Sequence, residues 1–240
     1  MKATLLSLGL LVVELWACES RRAARIGLPF GFEPNRGQTD ARVDFLARGA
    51  GHAAFLTAGE AVVVLTGPDS TGVALRTTFP GANRRPRVTG LEELPGKANS
   101  FVGKDRAARQ TDVPRYAKVR YSQVYPGIDL HYSGDQGRIA YEFVVHPGAD
   151  PTRIRLGWEG VDSLAVDARG DVVLHTAVGV VRQERPAIYQ KVDGARRDIG
   201  GGYVWKGAHQ VGFDISAYDA EQPLVVTSFV PLLLLDKPSS

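Results

Sequence analysis

The sequence holds a single cysteine, Cys18, in 240 residues, so no disulfide can form within the chain. Long apolar runs are missing too. The run nearest the start, LLSLGLLVV from Leu5 to Val13, has nine residues, against about 20 for a membrane-spanning helix. Charge of one sign is scarce: the formal net charge is +3, and the 22 arginines and 7 lysines fall as singles and pairs, densest at Arg84, Arg85 and Arg87. A nucleic-acid binder needs basic charge gathered into a stripe to displace counterions from phosphates, so no nucleic-acid partner is expected. Catalytic signatures are lacking as well. No GxSxG elbow, P-loop, dinucleotide fingerprint or HExxH motif occurs. His52, His146, His175 and His209 stand alone, and one thiol gives zinc no ligand set. No metal or other cofactor is therefore expected.

What is present begins with a leader. Lys2 ahead of Leu5–Val13 has the charged start and short apolar core of a secretory signal. The following LWAC, Leu15 to Cys18, resembles a bacterial lipobox, with leucine three positions before the cysteine and a small residue, Ala17, just before it. Glu14 and Trp16 depart from that pattern. The expectation is a leader over residues 1–18 with Cys18 as the site of lipid attachment, then an arginine-rich tether over 19–31. The chain would be exported to the cell envelope and held at the membrane by lipid; an ordinary secretory leader that merely contains a cysteine is the alternative.

From Phe32 onward, apolar and polar residues alternate with a period of two, interrupted by glycine, proline and aspartate roughly every 8–12 residues. Strands are expected at Val43–Ala47, Ala53–Thr57, Ala61–Thr66, Val73–Phe79, Lys118–Tyr121, Ile128–Ser133 and Ile139–Val145. More follow at Ile154–Trp158, Val172–Thr176, Val178–Gln183, Ala187–Val192, Tyr203–Trp205, Gln210–Ile215 and Leu224–Phe229. No helical stripe competes with them. The fold class is all-β, an antiparallel β-sandwich or two in tandem, over residues 32–230. An internal boundary is expected within 80–112, where glycine, proline and charge concentrate. Residues 231–240 form a tail, read as a last strand or a truncated end. Val43–Leu65 and Ile154–Leu174 share an order of strand, glycine, strand, Gly-acid turn and valine-rich strand, which a duplication or chance would both produce.

Several stretches in order carry a family resemblance: FEPNRGQTD, VDFLARGAG, LPGKANSFVGKD, VPRYAKVRYSQVYPGIDLHY, YEFVVHPGADP, and VVRQERPAIYQ with VDGARR. Together, over roughly residues 30–226, they resemble the N-terminal domain of bacterial SBBP-repeat proteins, exported or surface chains whose later part is a seven-bladed β-propeller. The resemblance implies an address and an architecture, not a reaction. In that family the strand matching Gln222–Val226 leads into the propeller repeats; here the sequence runs into TSFVPLLLLDKPSS instead.

Two groups of residues are candidates for ligand binding. In FEPNRGQTD, Glu33, Arg36 and Asp40 could serve as an acid pair with an anion-holding arginine. The local reading is a corner, in which Asn35 and Gly37 suit turn positions and Asp40 accepts backbone hydrogen bonds. The sharper constellation is Asp129, His131 and Glu142 on the polar side of the hairpin IDLHYSGDQGRIAYEFVV. A turn at GDQG that places Ser133 opposite Arg138 would set Asp129 against Glu142, a like-charge pair that something must offset. A register slipped by two would set His131 against Glu142 instead. Trp158, Trp205 and the tyrosines offer a sugar-stacking surface or, by their spacing along strands, core. The function expected is a non-catalytic scaffold or interaction domain at the cell surface, with a protein or glycan ligand. A carbohydrate-binding or carbohydrate-active domain is the alternative.

Overall fold

The computed structural model describes residues 30–49, 52–66, 72–101, 109–135, 138–177, 179–207 and 209–230. The expected leader, Cys18, nearly all of the tether and the tail at 231–240 lie outside these residues, as do Gln136 and Gly137 of the hairpin turn.

Twenty strands and one short 3-10 turn make up the described chain. In chain order they are β1 (Phe32–Pro34), β2 (Phe45–Gly49), β3 (His52–Leu56), β4 (Glu60–Thr66), β5 (Gly72–Thr78), β6 (Arg87–Glu93) and β7 (Ala98–Phe101). Next come β8 (Arg109–Val113), β9 (Tyr116–Tyr125), β10 (Ile128–Asp135), β11 (Arg138–Val145), the 3-10 turn Pro151–Arg153, β12 (Leu156–Glu159) and β13 (Ser163–Val166). The rest are β14 (Val172–Thr176), β15 (Gly179–Gln183), β16 (Ala187–Val192), β17 (Ala195–Ile199), β18 (Gly201–Gly207), β19 (Gln210–Ile215) and β20 (Leu224–Val230). All pairings are antiparallel, as the alternating pattern requires of strands with one buried face.

Fifteen strands share one continuous sheet, but a single residue pair, Phe32↔Tyr116, joins its two halves. One half runs β17-β16-β20-β11-β10-β9 with β6 on the far side of β9; the other runs β1-β2-β3-β4-β5-β12-β19-β18. The halves face each other as two layers. Phe143 of β11 meets Phe79 at 5.9 Å and Phe213 of β19 at 6.3 Å between ring centroids, and Phe45 of β2 meets Tyr116 at 6.1 Å. Every second residue of the central strands points into this space: Leu130, Tyr132, Tyr141 and Phe143 from one layer, Phe45, Leu56, Val63 and Leu75 from the other, all in one buried cluster. That cluster draws on residues from both sides of segment 80–112, and β6 within the segment pairs with β9. The fold is an all-β, sandwich-like arrangement of antiparallel sheets.

The layers meet again at the other side. β17 ends at Ile199 and β18 begins at Gly201, so Gly200 alone carries the chain from the end of one layer to the end of the other. A Cβ on Gly201 would lie 2.4 Å from the Asp214 carbonyl oxygen and 2.7 Å from Ile188 Cδ1. Only glycine fits that corner.

The three-stranded sheet β13-β14-β15 closes the remaining opening, sending Val172, Leu174 and Val181 into the same core. A buried polar cluster fastens it. The Gln183 side-chain amide donates to the hydroxyls of Tyr141 and, at 2.7 Å, of Tyr203. Tyr203 donates at 3.2 Å to the Glu184 carbonyl, and Ser228 donates to the same carbonyl at 2.8 Å. Side chains of β11, β15, β18 and β20 thus meet in one set of hydrogen bonds. β2, β3 and β4 are apolar on both faces, and their second face gathers Leu46, Ala53, Phe55, Val62 and Val64. The sequence echo is not matched by pairing: β2, β3 and β4 are consecutive neighbours, whereas β12 pairs with β5 and β19 and not with β13.

Candidate functional site

FEPNRGQTD folds as the whole of β1 and a turn built around Asn35. Its side-chain amide donates to the carbonyls of Asp40 (2.8 Å) and Val43 (3.0 Å), and its oxygen accepts from the backbone of Gly37 (3.1 Å) and Thr39 (3.3 Å). Asp40 accepts from the Arg42 backbone at 2.8 Å and pairs with the Arg42 guanidinium at 3.0 Å, which holds its carboxyl below the usual carboxylate range. Glu33 points to the outer face of β1, opposite Leu46, and is buried with Arg48 at 3.8 Å. Arg36 is exposed on the turn. Asn35, Asp40 and Glu33, unlike Arg36, are engaged locally, by the turn, by Arg42 and by β2.

The second group lies on the outer face of the other layer, so the sandwich does not bring it together with Glu33, Arg36 and Asp40. The register corrects the expected pairing of Asp129 with Glu142. Asp135 pairs with Arg138, which sets His131 opposite Glu142 and Asp129 opposite Val144. β10 runs two residues further into the turn than the GDQG loop predicts, to Asp135, while β11 still begins at Arg138. The like-charge pair does not form. Asp129 serves the neighbouring turn: one carboxylate oxygen accepts from the Gln123 backbone at 2.8 Å, and the other lies 3.5 Å from His146 Nε2. Gln123 sits at φ +58°, where β9 and β10 shift register, and the Asp129 carboxylate satisfies its amide.

His131 is flanked by Glu142 on β11 and by Arg120 on β9. The row continues to Thr89 on β6 and, on the other side, to Thr227 on β20 and Ala187 on β16. His131 Nε2 and Arg120 Nε are both buried and meet no hydrogen-bond partner among the described residues. Burial pushes the His131 imidazole below its ordinary value; Glu142 and Asp129 oppose that shift, and Arg120 and Lys118 add to it. Two residues beyond Ala187 on β16, the Tyr189 ring is covered by the Arg196 guanidinium at 4.1 Å from its centroid.

The chemistry available on this row is a carboxylate, an imidazole and a guanidinium side by side on rigid strands, able to accept from and donate to one ligand. Among the described residues no group of three or more His, Cys, Asp or Glu is arranged to hold a metal ion, and no helix is long and apolar enough to cross a membrane. Of the aromatic candidates, Trp158 is core at 3% exposure, while Trp205 on β18 is 48% exposed. Sequence reasoning missed the Gln183 cluster. Nothing local marks it, because Gln183 meets Tyr141 and Tyr203 from 42 and 20 residues away.

A comparison with protein-family models matches residues 32–227 to a domain of unknown function, DUF7948. The chain belongs to that family. No curated protein and no solved structure matches it. The DUF7948 span begins with β1 and ends within β20, so both layers and the Arg120–His131–Glu142 row fall inside the family domain.

Proposed function

We propose that this DUF7948 chain is a non-catalytic, exported interaction domain at the cell surface, anchored through lipid on Cys18 and related to the domains that precede the propeller in SBBP-repeat proteins. The observation that carries the reading is the row Arg120–His131–Glu142. It sets a guanidinium, an imidazole and a carboxylate side by side on the outer surface of paired strands, with His131 Nε2 and Arg120 Nε meeting no hydrogen-bond partner among the described residues. Such a surface suits a macromolecular ligand recognised by charge and hydrogen bonding. The carbohydrate reading uses the same row, since Glu142 and His131 could serve sugar hydroxyls; the Tyr189 ring on the same face is already occupied by Arg196.

Mass spectrometry of the mature N-terminus is expected to find a diacylated Cys18. A start beyond Cys18 would remove the anchor. A glycan array with the chain and its Asp129→Asn and Glu142→Gln variants separates the two readings of the row. No retained glycan is expected; glycan binding lost in Glu142→Gln would replace the scaffold reading with the carbohydrate one.

A further inference from the structure

An edge strand presents unpaired backbone donors and acceptors, and proteins guard such edges with charge, bulges or short length. The edges of this sheet are guarded unequally. β17 carries Arg196, Arg197 and Asp198, all exposed. β6 is interrupted by Glu92 at φ +57°, whose carboxylate pairs with Lys118 at 2.7 Å. β18 is guarded less than either, by one lysine and a register shift confined to its end, between Trp205 and Gly207. It is seven residues long, GGYVWKG, with Lys206 its single charge, and among the described residues it pairs only with β19. It also bears Trp205, the exposed large hydrophobic side chain of the described chain.

We propose that β18 is a dimerisation edge, pairing antiparallel with β18 of a second copy about a two-fold axis through Val204. The strand is self-complementary under that operation. Trp205 falls opposite Tyr203 of the second copy, and the reverse, giving two aromatic cross-strand pairs. Lys206 falls opposite Gly202, so no like charges meet. The same operation on β17 would set Arg197 against itself. An antiparallel self-pairing is closed by its symmetry, so it ends at two chains and does not grow into a filament. Seven residues a side make a small interface, and the dimer is expected to dissociate at about 1–100 µM.

Sedimentation velocity over a concentration series tests this, with cross-linking as a second readout. The chain is expected to move from monomer to dimer across that range, and Trp205→Lys to remain monomeric with an unchanged melting midpoint. In a Cys18→Ala background, Val204→Cys is expected to form a disulfide-linked dimer. Residues facing each other across the axis have Cα atoms about 4.5–5.5 Å apart, within disulfide reach. Lys206→Cys faces glycine and should cross-link far less. A chain that stays monomeric at about 200 µM overturns the proposal. So does a dimer that Trp205→Lys leaves intact, or equal cross-linking at 204 and 206. Should Trp205→Lys fail to fold, the cysteine pair decides.

Discussion

His131 shows how a residue's chemistry depends on neighbours that its own sequence position does not name. Its strand places it on the polar face, but only the pairing of β10 with both β9 and β11 sets it between Arg120 and Glu142. Burial favours the neutral ring there. The folded state then binds the proton less readily than the unfolded chain, whose histidine titrates near about 6.5. Stability is therefore lost as pH falls through about 6.5 toward the lower folded value. Against a His131→Gln variant, the wild-type urea midpoint is expected to drop between pH 7 and pH 5, and equal acid sensitivity of the two would refute it. Asn35 and Asp40 stand at the opposite extreme. Their turn chemistry was legible because their partners lie within eight residues along the chain. Glu33 was less so, since its burial comes from β2 and not from the loop.

At the scale of elements, alternation identified the central strands because each has one face in the core. It passed over six strands, β1, β6, β7, β8, β13 and β17; of these, β6 and β17 are mostly half-buried or exposed and carry no apolar alternation to read. The hairpin register illustrates a different limit. A slide of one residue would have turned polar side chains inward, and the pattern rules that out; a slide of two keeps every side chain on its face. Inward-facing Leu130, Tyr132, Tyr141 and Phe143 were thus readable, and the partner of Glu142 was not. The corner between β17 and β18 gives a direct test. Gly201→Ala would press a methyl onto Asp214 and Ile188, whereas a Cβ on Gly202 meets nothing within 4 Å. Urea unfolding is expected to show a loss of about 1–3 kcal/mol for the first and less than about 0.5 kcal/mol for the second. Equal effects would mean that the corner is not tight.

The whole molecule is two layers around one principal core, joined at Phe32↔Tyr116, at Gly200 and through the Gln183 cluster. Strands from both sides of segment 80–112 cannot separate without exposing that core. Far-UV circular dichroism and the fluorescence of buried Trp158 should therefore report one coincident denaturant transition. Two resolved transitions would show that 80–112 divides the chain into independent units. The sequence by itself determined the all-β class and which side chains face the core, because alternation along a pleated strand is a local property that burial acts on directly. Only the tertiary structure decided which strands are neighbours, that β18 with Trp205 pairs only with β19 among the described residues, and that Arg120, His131 and Glu142 stand in one row. Those depend on pairings between distant segments, and the alternating pattern is satisfied equally well by many of them.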